Sequence, residues 1–117
     1  MKYALLIYDT EESADQSEEQ MGRWFAYTQE LQQSGQMLAG EALQPIATAT
    51  TVRVRDGKQV TMDGPFAETK EQLGGFYLVD CGNLDEAIAW AAKLPHVGHG
   101  SVEVRPLMEF DDMPGAD

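Results

Sequence analysis

Cysteine is almost missing from this 117-residue chain, and basic residues are scarce. Cys81 stands alone, which excludes an internal disulfide. It reads as a small buried thiol, which suits a reducing compartment and leads us to expect a cytoplasmic protein. Eight Lys and Arg face 20 Asp and Glu, for a net charge of −12. That balance argues against nucleic-acid backbones and anionic membranes as partners. No apolar run approaches the ~20 residues of a membrane-crossing helix. The opening, Met1 to Asp9, is briefly apolar and then meets acid at once, with no small-residue cleavage site. It reads as a strand. A phosphate-cradling loop, a G-x-S-x-G elbow and a Cys–His constellation are also missing. No cofactor is expected.

What is present describes one folded unit. The 43% hydrophobic content and two Trp exclude a disordered chain. A chain of this length buries roughly 65% of its unfolded surface, enough for one core. Residues 1–109 read as a single domain and 110–117 as a frayed acidic tail. Six acids lie between Asp9 and Glu19 with no Lys or Arg among them. They form a solvated face or a dock for a basic partner.

The elements follow from periodicity. Lys2 to Tyr8 reads as a strand apolar on both faces, with Tyr3, Leu5 and Ile7 opposite Ala4, Leu6 and Tyr8. Ser17 caps a helix with Gln20 at the third position. Met21, Trp24, Phe25, Thr28 and Leu31 follow at helical spacing, and Gly35 ends the helix. Gln36 to Leu43 is a second strand. Thr50–Arg55 and Lys58–Asp63 form a hairpin around Asp56-Gly57. A three-residue loop would set Val52 opposite Val60; a two-residue loop is the alternative, so the register is open. Gly74 to Asp80 is again apolar on both faces. Asn83 caps a second helix, with Glu86 able to reach back. Its buried stripe is Leu84, Ala87, Ile88, Ala91 and Leu94, and Pro95 stops it. Gly100 to Leu107 is the last strand, with Val102 and Val104 opposite Glu103 and Arg105.

The order β-α-β, hairpin, β-α-β is the ferredoxin-like α+β pattern: an antiparallel sheet with two helices on one face. The two doubly apolar strands belong at its centre. The face without helices needs a cover, and we expect a second subunit there, sheet against sheet, in a homodimer.

The stretch from Asp63 to Gly75 is the richest in candidate chemistry. Asp63, Glu68, Lys70 and Glu71 sit in one loop, where like charges raise carboxylate pKa values and Lys70 opposes the rise. Asp63 and Glu68 are candidate proton-transfer groups. The plainer reading is a loop pinned by ion pairs, with Pro65 setting the turn and Phe66 anchored in the core. Arg105, beside Glu103, can hold an acidic ligand bidentately or form a strand-edge ion pair. Arg53 and Arg55 can add anion contacts or lie solvated. Tyr8 can donate into a cleft. His96 and His99, three apart in a Gly-rich loop, lack an evident third ligand, so no metal site is expected. His99 is a candidate acid or base near Glu103.

Asp63-Gly64-Pro65-Phe66, followed by Glu68, Lys70, Glu71 and Gly74-Gly75-Phe76, resembles the DGPF-domain family, part of the YCII-related group of dimeric α+β barrel proteins. Glu103-Val104-Arg105-Pro106-Leu107 and Gly40-Glu41-Ala42-Leu43 are similar to its last and second strands. The resemblance implies a ferredoxin-like protomer, a homodimer and a ligand cleft between sheet and loop. It also implies an association, in some members, with extracytoplasmic-function sigma factors. The YCII branch carries a His on the first helix paired with an Asp; here the first helix has no His, and Trp24 lies in its central part.

These readings converge on a homodimer that takes an unidentified small molecule, as a binder or as a cofactor-independent acid–base enzyme. The alternative is a regulatory module acting with a sigma factor or another protein.

Overall fold

A computed structural model describes residues 1–11 and 17–110. Within them run β1 (Lys2–Asp9), α1 (Glu18–Gln33), β2 (Met37–Ala42), a 3-10 turn (Ile46–Thr48), β3 (Thr50–Arg55), β4 (Lys58–Asp63), β5 (Gln72–Asp80), α2 (Leu84–Ala92) and β6 (Ser101–Pro106). Glu12 and Asp15 of the acidic stretch, and the tail from Asp111, lie outside the described residues.

Four strands form a fully antiparallel sheet in the order β2-β5-β1-β6. The doubly apolar strands β1 and β5 take the centre, as expected. Tyr3, Leu5, Tyr77 and Val79 point from them into the core, where Tyr27 and Leu31 of α1 and Ala87 and Ala91 of α2 close over them. Val102 and Val104 of β6 pack on the same core. Ala4, Leu6, Phe76 and Leu78 lie in register on the opposite sheet face, which carries no helix among the described residues.

Both helices start where the caps predicted. Ser17 Oγ accepts from the Gln20 amide at 3.2 Å, and Asn83 Oδ1 from the Glu86 amide at 3.0 Å. The Glu86 carboxylate does not reach back; it accepts from Gln36 Nε2 at 2.7 Å and ties α2 to the start of β2. The buried stripes are rotated from those expected. On α1, Gln20, Tyr27 and Leu31 are buried while Met21 and Phe25 are exposed. The two stripes share Trp24, Thr28 and Leu31, so hydrophobicity alone favoured Met and Phe over Gln and Tyr. The structure chooses Tyr27 because its phenol finds the Trp90 carbonyl at 2.9 Å and its ring packs edge-on against Tyr77 and Trp90. On α2, Leu84 and Ile88 are exposed, and Trp90 turns inward beside Ala87 and Ala91. The α2 helix ends at Ala92, with Lys93 as its C-cap, ahead of Pro95.

β3 and β4 form a separate two-stranded sheet. The turn is the two-residue alternative: Arg55 pairs with Lys58 and Arg53 with Val60, while Asp56 (φ 52°) and Gly57 (φ 74°) take the left-handed conformation of a hairpin turn. Val52 therefore lies opposite Thr61, not Val60.

Candidate functional site

Beside the inward side chains of the sheet, a pocket of about 430 Å³ opens between α1, β2, the end of β1, the start of β5 and the loop joining α2 to β6. Glycines make room for it. A Cβ on Gly40 would sit 2.6 Å from the Tyr77 ring, and one on Gly75 would sit 2.8 Å from the Glu41 carbonyl. Bare backbone thus forms part of the wall. The register of β1 against β5 slips at Gly74, between Ile7 and Tyr8. That bulge falls beside the pocket and carries Asp9, at the end of the apolar strand, to its rim.

The α2–β6 loop supplies the facing groups. A Cβ on Gly100 would sit 2.6 Å from the Tyr8 carbonyl and 2.5 Å from the His96 ring, so only glycine lets this loop close on β1. The consequence is a contact remote in sequence: His99 Nε2 lies 3.1 Å from Asp9 Oδ2. The other Asp9 oxygen, Oδ1, accepts from the Thr10 amide at 2.8 Å. The Asp9 side chain is 19% exposed and that of His99 44%, so the carboxylate is sheltered and the imidazole reaches outward. An Nε2–H donating to Asp9 leaves the His99 lone pair on Nδ1. His96 is buried, with Nε2 3.0 Å from the Ser101 carbonyl and its ring stacked on Trp24 at 5.5 Å. A carbonyl only accepts, so Nε2 of His96 also carries a proton; its buried Nδ1 has no hydrogen-bond partner among the described residues. Trp24, Met21 and Thr28 of α1 line the pocket beside these rings, and Thr28 Oγ1 shares a hydrogen bond of 2.6 Å with the Tyr77 hydroxyl.

Of the residues singled out in the sequence, His96 and His99 line this pocket; Asp63, Glu68, Lys70, Tyr8, Glu103 and Arg105 do not. Asp63, Glu68 and Lys70 are exposed, and the ion pairs of the described residues include none of them. Their loop is held instead by Gln72, whose Nε2 donates to the Ala67 and Thr69 carbonyls at 3.1 and 3.0 Å. Gly64, at φ 102°, closes the base of the hairpin with its amide on the Ala49 carbonyl at 2.7 Å. Phe66, expected in the core, is 79% exposed. Glu103 and Arg105 bond to each other, Nε to Oε2 at 2.9 Å, and that contact holds the exposed guanidinium firmly protonated. Glu103 sits opposite Leu6 and Arg105 opposite Ala4, on the helix-free sheet face. His99 pairs with Asp9 and not with Glu103.

Asp9 and Trp24 are the pocket groups that sequence reasoning passed over as functional. One signal was available: an acid ends the most apolar strand of the chain; the structure pairs it with Gln72, just past the bulge at Gly74. The thiol of Cys81 is buried away from this site, and burial, followed by nearby Glu86, pushes its pKa up. No three His, Cys, Asp or Glu side chains among the described residues gather as a metal site. No helix among them is long and apolar enough to cross a membrane.

Two comparisons set this geometry among known proteins. The chain is 42% identical over 114 residues to an uncharacterised protein of Rhizobium meliloti (strain 1021), covering 92% of each. Its fold is similar to that of 5-chloro-2-hydroxyhydroquinone dehydrochlorinase from Burkholderia phenoliruptrix, solved in complex with 2,5-dihydroxybenzoquinone. The TM-score is 0.57 and the identity 15%, covering 93% of this chain and 95% of that one. With the ferredoxin-like α+β fold in place and the YCII-related domain matching residues 1–111, the chain belongs to the YCII-related family.

Proposed function

We propose that the pocket binds a small planar molecule carrying an acidic hydroxyl, and that Asp9 and His99 exchange its proton. The observation that carries this reading is the His99–Asp9 contact at the rim of a largely carbon-lined pocket. Asp9 holds the imidazole in one tautomer, with Nδ1 free to accept a proton, and stabilises the imidazolium that forms. Trp24, stacked on His96, offers an aromatic surface against which a flat ring packs. The YCII branch places its His on the first helix; here the imidazole arrives from the α2–β6 loop, and Trp24 occupies the helix. The solved neighbour binds a dihydroxybenzoquinone. A ring of that size fits the volume available, and its hydroxyl suits a neutral imidazole base. The acid–base work thereby falls to Asp9 and His99 rather than to Asp63 and Glu68, which stand away from the pocket.

The protein acts as a homodimer in this reading, because Leu6, Phe76 and Leu78 line a sheet face that has no helix to cover it. A second reading, a regulatory module for a sigma factor or other basic protein, is favoured by the net charge of −12. It requires salt-sensitive binding of such a partner and an empty pocket.

Titration calorimetry with 2,5-dihydroxybenzoquinone tests the first reading. Wild-type protein should bind, and His99→Ala and Trp24→Ala should each weaken binding at least tenfold while the fold persists. No binding by the wild type, or unchanged affinity in both variants, sinks it.

A further inference from the structure

The β3–β4 hairpin has no use in the pocket and no support from the core. A two-stranded ribbon by itself is marginal in water. Every residue of β4 is exposed, and Val52, Val54, Val60 and Met62 lie open to solvent. The hairpin is closed at its base by the Gly64 amide on Ala49 and by Thr51 Oγ1 on the Gly64 carbonyl at 2.8 Å. Beyond that it projects. The radius of gyration is 16.4 Å, against about 13 Å for a compact domain of this length.

Its charge departs from that of the rest of the chain. Arg53, Arg55 and Lys58 share one face of the ribbon with Val60 and Met62. These are three of the eight cationic side chains in a chain of net charge −12. Among the described residues none of the three pairs with a carboxylate. The guanidinium of Arg53 rests against the Phe66 carbonyl and Met62 sulfur, and that of Arg55 against the Val54 carbonyl. On the domain body the imbalance is reversed: Glu18, Glu41 and Asp85 have no cationic partner among the described residues.

We infer that the β3–β4 hairpin is an arm that docks on a second copy of this chain. The copy supplies what the arm lacks, an acidic surface and apolar cover. Each copy carries both an arm and a receiving surface, so a two-fold exchange satisfies both arms at once and closes the assembly. Nucleic acid is a poor occupant, because the body behind the arm is strongly acidic. The inference rests on the homodimer proposed above and adds the hairpin to its interface.

The test is sedimentation velocity and amide hydrogen exchange on the full chain, wild type and R53E/R55E/K58E. The wild type should be a dimer, with β3 and β4 amides protected in the dimer and fast once dilution yields monomer. The triple variant should raise the dimer Kd at least tenfold. A variant that dimerises like the wild type, or hairpin amides equally fast in monomer and dimer, overturns the arm and leaves sheet-face dimerisation standing. A wild type that is monomeric at every concentration overturns both. Should the triple variant fail to fold, R53Q/R55Q/K58Q takes its place, with the same tenfold weakening required. Ligand titration of the pocket is independent of each result.

Discussion

Leu5 and Val79, on neighbouring central strands, are fully sealed from water, whereas Val54 and Val60, on neighbouring hairpin strands, stand open to it. The residue types are alike; their surroundings differ. In the domain body each inward side chain of β1 and β5 meets a helix. In the hairpin the pairing is complete, and no helix or second sheet among the described residues packs on either face. Hydrogen-bonded strands are thus common to both regions, and burial separates them. That contrast predicts where substitutions are costly.

The largest effect belongs to the core. Leu5→Ala should destabilise the fold by about 2–5 kcal/mol. Val60→Ala should change monomer stability by no more than about 0.5 kcal/mol. Urea unfolding of both variants measures the gap, and a costly Val60→Ala would erase the distinction drawn here. Next comes Gly100→Ala, which drives a methyl into the Tyr8 carbonyl and the His96 ring. About 1–3 kcal/mol of stability should be lost. The His99–Asp9 contact should loosen, seen as a change in the His99 imidazole chemical shifts by NMR.

A smaller effect, about 1 kcal/mol, is expected for Tyr27→Phe, which deletes the hydrogen bond to the Trp90 carbonyl. Burial first, then Tyr77 and Glu30, pushes the Tyr27 phenol well above its ordinary value. The folded state therefore holds this proton more tightly than the unfolded state, whose phenol ionises near pH ~10. The stability involved is complete below that pH and is lost as pH climbs toward the folded value. Tyr27→Phe should flatten the alkaline fall in stability above about pH 10, as followed by circular dichroism. The smallest effect is kinetic and leaves the fold intact: Cys81, buried with a raised pKa, should resist iodoacetamide at neutral pH until the protein is unfolded.

The fold was legible because its signals are local. Strands apolar on both faces, helix caps at Ser17 and Asn83, and the Asp56-Gly57 turn each depend on a few adjacent residues. The stripes on α1 and α2 were less so. Choosing between Phe25 and Tyr27 requires knowing that Trp90 presents a carbonyl from another helix. The His99–Asp9 contact was least legible, since it joins residues 90 positions apart. Periodicity cannot see such a pair; it forms because Gly100 permits close packing and the bulge at Gly74 brings Asp9 to the rim. The Asp63–Glu71 loop drew attention by its charge density, yet Gly64, closing the hairpin, and Gln72, binding the loop, fasten that segment in place.

The stack of Trp24 on His96 makes the pocket self-reporting. The chain has two tryptophans and two histidines. One tryptophan forms part of the pocket wall; the other, Trp90, lies elsewhere, with Lys93 over its ring and Gln36 on its indole nitrogen. Occupancy should therefore quench or shift one indole emission and leave the second as an internal reference, so a ligand screen can be read in unlabelled protein by light alone.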